Sequence, residues 1–277
     1  LDITDPNSLE SYLRNNLDID VIINFASYTD VAAAEKERPP ARRVSGPEGG
    51  KKKGLSWKLN VEGAENTASV AKKYSKFLIH ISTDFVFLGT KSKPGPYKED
   101  ARLPRFSDKI SWYGWTKLEG EKRVRKLYPS SAIVRISYPF RAAAYPQKID
   151  LARKILSLYD DGSLYPLFTD HYITVLFIDD IVSPLTRLIE LKIKGVYHIA
   201  NSGKLSHYRF GEYLLRSAKG IRNAPEKGSL VEFLKAPGRN ARPIWGGLDT
   251  KKTQEALSIK FRTWREAVDE FVRQLQN

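Results

Sequence analysis

The sequence predicts an α/β protein built on an open parallel sheet, followed by a smaller lobe. Three observations lead there. Val21-Ile-Ile-Asn-Phe-Ala-Ser27 is a continuous apolar run of the kind that a parallel strand buried on both faces requires. Strands of this type alternate with stretches of helical length, which implies right-handed crossovers. A third strand, Phe77-Leu-Ile-His-Ile-Ser-Thr83 followed by Asp84, ends in hydroxyl and carboxylate residues, where an open α/β sheet places its chemistry.

The elements follow in order. Leu1-Asp-Ile-Thr-Asp5 reads as a strand end, and Asp5-Pro6 as a cap and first residue of a helix running to about Asn16. After the Val21 strand, a helix from about Trp57 to Tyr74 leads to the Phe77 strand. The stretch from Ser111 onward forms the next helix and leads to a strand at Ala132-Ile-Val-Arg-Ile-Ser137. Beyond Pro139 the regularity weakens. A helix is expected at Leu151–Tyr159, then Leu167–Thr174, a helix from Asp180 to Leu191, and a strand at Val196–Ala200 returning to the sheet. Two last helices should start after Asp249 and Thr263. This divides the chain into a cofactor-type domain, residues 1–140, and a substrate lobe, residues 141–277, with some elements of the second half rejoining the sheet.

Composition bounds the function. With 277 residues, 41% hydrophobic and 28% charged, the chain folds around a full core. It has no membrane-length apolar run and no visible signal peptide. Cysteine is absent, so disulfides and cysteine-metal sites are excluded, and the four histidines show no metal spacing. A cytoplasmic setting is expected. Methionine is absent too; with abundant Lys, Arg and Glu this suggests a heat-adapted source. The formal charge of +14 suits an anionic cofactor and substrate, and no nucleic-acid recognition motif accompanies it.

Two stretches read as polar insertions. Glu37–Ser56 carries Pro39, Pro40, several glycines and Lys51-Lys52-Lys53; Lys91–Lys109 separates the Thr83 strand from the next helix. A dinucleotide-binding sheet normally begins with a strand, a Gly-rich turn and a helix whose N-terminus holds the pyrophosphate. The first glycine here is Gly46, inside the basic loop. The Val21 and Phe77 strands call for a neighbouring strand, so a strand–helix–strand unit is expected to precede Leu1.

Tyr113 and Lys117 stand out. Of the 14 tyrosines, only Tyr113 has a lysine at i+4, and on a helix both side chains share a face. An ammonium there can lower the phenol's pKa and hold a proton path, so the phenol serves as acid or base.

Several further segments fall in a recognisable order. They are Leu1-Asp-Ile-Thr-Asp5, Val21-Ile-Ile-Asn-Phe-Ala-Ser-Tyr-Thr-Asp30, Trp57-Lys-Leu-Asn-Val-Glu-Gly63, His80-Ile-Ser-Thr-Asp-Phe-Val-Phe87, Pro96-Tyr-Lys-Glu99 and Tyr113-Gly-Trp-Thr-Lys117. Arg135-Ile-Ser137, Ala241-Arg-Pro243 and Leu248-Asp-Thr250 complete the set. In these the chain resembles the dTDP-4-dehydrorhamnose reductase family, a branch of the extended short-chain dehydrogenases/reductases. The resemblance spans nearly the whole chain and implies a Rossmann-like doubly wound sheet.

It also implies a mechanism. NADPH or NADH delivers hydride to the 4-keto carbon of a nucleotide-linked deoxysugar. Tyr113 gives the proton, Lys117 binds the nicotinamide ribose and keeps the phenol's pKa down, and Thr83 bonds the substrate oxygen. Asp84 helps fix the sugar, and Phe85 and Tyr138 fall at substrate positions. Asp2 and Ile3 match positions beside the adenine; Phe25, Ala26 and Ser27 match the turn lining the cofactor; Asn60 matches a helix asparagine supporting the site. There are departures. Phe85 stands where family members usually carry tyrosine, Tyr138 where many carry tryptophan, Leu88 where aspartate is usual, and Phe25 where a small residue is expected. These leave the hydride-transfer set intact and bear on the sugar. The competing readings are a cofactor-binding regulatory subunit like the methionine adenosyltransferase β subunit, and a nucleotide-sugar epimerase or dehydratase. A dehydratase lacks support, because no Asp-Glu pair follows Thr83. A homodimer is compatible with all of these.

Overall fold

The computed structural model describes residues 1–39, 54–145, 147–236 and 242–276. Most of the basic insertion, including Lys51-Lys52-Lys53, and Ala241 of the late motif lie outside the described residues.

Four parallel strands form the central sheet, in the order Val21–Asn24, Phe77–Thr83, Ala132–Ile136 and Gly195–Ile199. The strand near Val196 thus returns to the sheet as expected. Leu78, Ile133 and Val196 point to one face and pack on Ala64, Ala68 and Val124. Those three come from the helices Ala64–Lys73 and Trp112–Leu127. Ile79, Val134 and Ile199 point to the other face, against Leu185, Leu188 and Leu257 of the helices Val182–Leu191 and Lys251–Leu257. Helices on both faces explain why the strands read as continuous apolar runs. A separate core of Phe140, Ile155, Leu167, Phe177, Phe210 and Phe271 is built wholly from the second half of the chain. No helix among the described residues is long and apolar enough to cross a membrane.

Several local details differ from the sequence expectation. The first strand stops at Asn24, because the Asn24 Oδ1 takes the amide of Ala26 and turns the chain. The helix expected from Trp57 is interrupted. A short α-turn, Leu55–Trp57, passes into π-helix over Lys58–Gly63 before Ala64–Lys73 resumes as α. Such insertions cluster at functional sites. Leu167–Thr174 splits into two short strands, Leu167–Phe168 and Tyr172–Ile173. The helix His207–Lys219, capped by Ser206, is an element additional to those the sequence predicts. Its interior Gly211 admits Leu167, whose Cδ1 lies 2.3 Å from where a Cβ would stand.

Candidate active site

The site forms where the Phe77–Thr83 strand ends. Thr83 closes the strand and caps a 3-10 turn, Asp84–Val86, by accepting the amide of Phe85 at 3.3 Å. The Trp112–Leu127 helix starts over this turn, with Ser111 as cap accepting the amide of Gly114 at 3.1 Å. Close approach is possible only because position 114 is glycine; a Cβ there would stand 2.2 Å from the Phe85 carbonyl oxygen. Gly120 does the same one level down, 2.1 Å from the Asn60 carbonyl oxygen.

This geometry brings Tyr113, Lys117 and Thr83 together, as the sequence predicts. The Thr83 hydroxyl, which donates to Asp84 Oδ1 at 3.2 Å, acts on the Tyr113 phenol. Burial pushes the phenol up to about 12; the Thr83 bond opposes this and the Asp84 charge adds to it. The expected lowering by the ammonium is therefore not what governs Tyr113: desolvation wins. A phenol held protonated at neutral pH is suited to donate a proton. Lys117 is 2% exposed and donates to the Ile81 carbonyl at 2.8 Å. Burial pulls its pKa down to about 8, and Glu121 on the next helical turn opposes that.

Asp84 is 3% exposed. Burial raises its carboxyl to about 6, against hydrogen bonds from Ser137, Thr83 and backbone amides. The Ser137 hydroxyl lies 2.8 Å from both Asp84 Oδ2 and the Thr174 carbonyl. It has one proton to give. That proton is shared between the two acceptors, so the Asp84 carboxylate competes with the Thr174 carbonyl for it.

Phe85 sets its ring edge-on to Tyr113, centroids 5.6 Å apart, and tilted against Tyr138 at 6.3 Å. Tyr138 has a positive φ of 41°, strained for a non-glycine residue, and its hydroxyl lies 3.2 Å from His171 Nε2. Burial raises the Tyr138 phenol and drives His171 down to about 3, so both are neutral at physiological pH. Beside them is Arg242, whose charge is felt at Tyr138, Tyr165, His171 and His207 and whose buried Nε has no hydrogen-bond partner among the described residues. Sequence reasoning gave no role to Ser137, His171 or Arg242. Ser137 and Arg242 sit inside quoted motifs, and that was the available signal.

The remaining cofactor positions fare differently. Phe25 is 49% exposed and Ala26 is exposed, at the end of the edge strand Val21–Asn24. Ser27 donates to Asn60 Oδ1 at 2.8 Å. Asn60 Oδ1 also accepts the Tyr28 amide, and its Nδ2 donates to the Tyr28 carbonyl and to Thr116 Oγ1. Its amide is saturated by protein groups, so Asn60 latches the Ser27–Tyr28 turn to the catalytic helix and has no capacity left for a cofactor. Asp2 closes a local turn, its Oδ1 accepting both Thr4 N and Thr4 Oγ1 at 2.8 Å. Ile3 is buried against Gly63, where a Cβ would lie 2.6 Å from its Cδ1. Neither shares a hydrogen bond with the Thr83–Tyr113–Lys117 group.

The chain is similar to known proteins along its whole length. It is 27% identical over 272 residues to the dTDP-4-dehydrorhamnose reductase of Mycolicibacterium smegmatis, covering 98% of this chain and 74% of that one. A crystal structure of a dTDP-4-dehydrorhamnose reductase ortholog from Clostridium acetobutylicum superposes with TM-score 0.81 at 26% identity, covering 100% of this chain and 88% of that one. The Bacillus anthracis dTDP-4-dehydrorhamnose reductase in complex with NADP shares the fold, with TM-score 0.81 at 24% identity over 99% of this chain and 87% of that one. The family model described as the RmlD substrate binding domain matches residues 1–277, and the chain belongs to that family.

Proposed function

We propose that this protein is an NAD(P)H-dependent reductase of the 4-keto group of a nucleotide-linked deoxysugar, with Tyr113 as the proton donor. The observation that carries the reading is the grouping of buried Thr83, Tyr113 and Lys117 at the carboxyl end of a central parallel strand, with Lys117 one helical turn from Tyr113 and tied to Ile81. A reduced nicotinamide, when bound, supplies the hydride.

The residues present fit that cofactor. Lys117 has three donors, of which one goes to Ile81, leaving two for ribose hydroxyls. The exposed Phe25 and Ala26 offer an apolar flank for a planar ring. The chain's own groups then divide the work. Thr83 holds the substrate oxygen against Tyr113, and the protonated phenol gives its proton as that oxygen becomes an alkoxide. Lys117 keeps positive charge nearby as the phenolate forms. Asp84 and Ser137 fix sugar hydroxyls beside Thr83. Phe85 and Tyr138 wall the sugar with rings, and Arg242 offers its free donor to the diphosphate. In this reading residues 1–140 carry the cofactor together with Thr83, Asp84, Phe85, Ser137 and Tyr138 of the substrate site, and residues 141–277 close over the substrate and add Arg242.

The test begins with fluorescence titration by NADPH and, in parallel, NADH. It continues with NADPH consumption in the presence of a dTDP-4-keto-6-deoxyhexose. Binding followed by turnover supports the reading. Binding without turnover on any 4-keto sugar nucleotide moves the protein to a regulatory role, and absence of binding removes the reductase assignment.

A further inference from the structure

Beneath the catalytic helix lies a buried polar layer that the proposed chemistry does not use. Its centre is Glu121, 1% exposed. Arg135, also 1% exposed, grips it with two bonds, Nε to Oε1 at 2.9 Å and Nη2 to Oε2 at 2.7 Å. Ser82 donates to Oε1 from the neighbouring strand. Arg135 is itself held from behind. Its Nη1 reaches the Glu99 carbonyl at 3.3 Å and lies 3.4 Å from His198 Nε2, and its guanidinium sits 5.0 Å above the Phe87 ring. Glu121 follows Lys117 by four residues on one helical face, and the two meet adjacent residues of the same strand, Lys117 the Ile81 carbonyl and Glu121 the Ser82 hydroxyl.

We infer that Glu121 is the positioning residue for Lys117: a carboxylate locked by Arg135 and Ser82 that keeps the ammonium charged and seated on the Ile81 carbonyl. The inference rests on the reductase reading for its catalytic meaning, but the pairing itself can be tested without it.

The charge inventory supports it. The groups facing Lys117 and Glu121 are Tyr113 on the same helix, His80 and Ser82 on the Phe77–Thr83 strand, Arg135 on the next strand and His198 beyond it. Tyr113 is a neutral phenol. Burial, reinforced by the Lys117 charge, holds His80 well below its ordinary value, so it is neutral. Burial first, then Arg135, takes His198 down to about 3, so it is neutral as well. The buried carboxyl groups at the layer's borders are engaged elsewhere, Asp84 by Ser137 and Glu99 by Thr253, so Glu121 is the carboxylate that Lys117 and Arg135 have in common. Arginine does not give up its proton, whereas a buried lysine does. If Glu121 loses its charge, Lys117 is the group that turns neutral, and a neutral amine no longer serves an anionic transition state.

The experiment is a pH titration of lysine ε-13C resonances in the intact protein, with Lys117 assigned by its absence in Lys117→Met. Glu121→Gln keeps the shape and one acceptor oxygen, enough for Arg135 Nε and Ser82 but not for Arg135 Nη2, and removes the charge. The Lys117 midpoint should fall by at least about one pH unit, a tenfold loss of proton affinity. Ser82→Ala, which keeps the charge, should leave the midpoint in place. An unmoved midpoint in Glu121→Gln, or an equal shift in Ser82→Ala, overturns the inference. Should Glu121→Gln not fold, the apolar pair Glu121→Leu/Arg135→Met is compared with Arg135→Met alone, since well-packed apolar pairs commonly replace buried ion pairs; a midpoint in the double variant no lower than in the single one also overturns it.

NADPH titration gives the functional reading. Near pH 8, Glu121→Gln should bind about fivefold more weakly than wild type, and the deficit should vanish as pH drops through the shifted midpoint. A purely structural defect would persist at every pH, and that result refutes the positioning role. If wild type itself does not bind NADPH, the reductase reading fails, while the lysine titration still decides the role of Glu121.

Discussion

Lys117 donates to the carbonyl of Ile81 at 2.8 Å, two residues before Thr83. The bond ties the catalytic helix to its strand and fixes the level at which Tyr113 meets Thr83. It also keeps a cation in the core against its own desolvation, which has a measurable signature. A lysine depressed from 10.5 to about 8 binds fewer protons in the native than in the unfolded state between those values. Stability should therefore rise with pH across that window, by about 3 kcal/mol in total from this group. Lys117→Met should lack the rise, as read by urea unfolding of both proteins at about pH 7 and pH 10. It should also weaken NADPH binding and lower kcat together. Equal pH dependence in the two proteins would show that Lys117 is not a buried cation.

Tyr113→Phe removes one oxygen from a site whose ring packing it leaves alone, since the edge-on contact with Phe85 involves the ring. NADPH affinity should stay within about twofold, whereas kcat should fall by roughly 10²–10⁴, the range for losing a positioned acid. Because burial holds the phenol at about 12, its ionisation lies far above neutral pH. An alkaline limb of the wild-type rate profile near pH 8 belongs to Lys117. Turnover surviving in the phenylalanine variant would mean that another group delivers the proton.

Asp84 carries the opposite sign. Its carboxyl is raised from 3.8 to about 6, so the native state binds more protons than the unfolded state between those values. Stability from this group falls as pH rises through the window, and above pH 6 the fold carries a cost of about 3 kcal/mol. Asp84→Asn keeps the shape and removes the charge. It should stabilise the protein by up to about that amount near pH 7, with the gain fading toward pH 4, while kcat/KM for the sugar nucleotide falls. Destabilisation at neutral pH would place the Asp84 charge on the favourable side of the balance.

The sequence made the sheet legible because strands buried on both faces leave continuous apolar runs, and the Val21 and Phe77 runs have no other reading. Thr83, Tyr113 and Lys117 were legible because two of them share a helical face and the third ends a strand. Asn60 was visible as a motif residue, but its task was not. Nothing local says that a π-helical turn aims its amide at Ser27, Tyr28 and Thr116, since those partners come from 32 or more residues away. Likewise the Arg135–Glu121 lock depends on strand register, and charged residues in sequence read as surface. The need for Gly211 is equally non-local, since the Leu167 side chain that takes its space is 44 residues away in sequence.

Gly114 gives the sharpest test of how the site is assembled. A methyl group there would stand 2.2 Å from the Phe85 carbonyl oxygen, 3.0 Å from its carbonyl carbon and 3.2 Å from the capping Ser111 Oγ. The first two are backbone, so no side-chain rotation relieves them. Alanine is the better helix former by about 1 kcal/mol, and at an open helical position the change would stabilise. Here the overlap has to push the first turn of the helix off the Asp84–Val86 turn, at the overpacking cost of about 1–3 kcal/mol or more. Tyr113 is the adjacent residue and moves with that turn, away from Thr83. Gly114→Ala should therefore lower the melting temperature and reduce kcat by at least about 10²-fold, since a displacement near 1 Å has that effect on a positioned catalytic group. Binding of NADPH through Lys117, one turn further along, should suffer less. Normal stability and turnover in Gly114→Ala would mean that the helix start and the strand end are not in the contact described, and the Thr83–Tyr113 pairing would have to be abandoned.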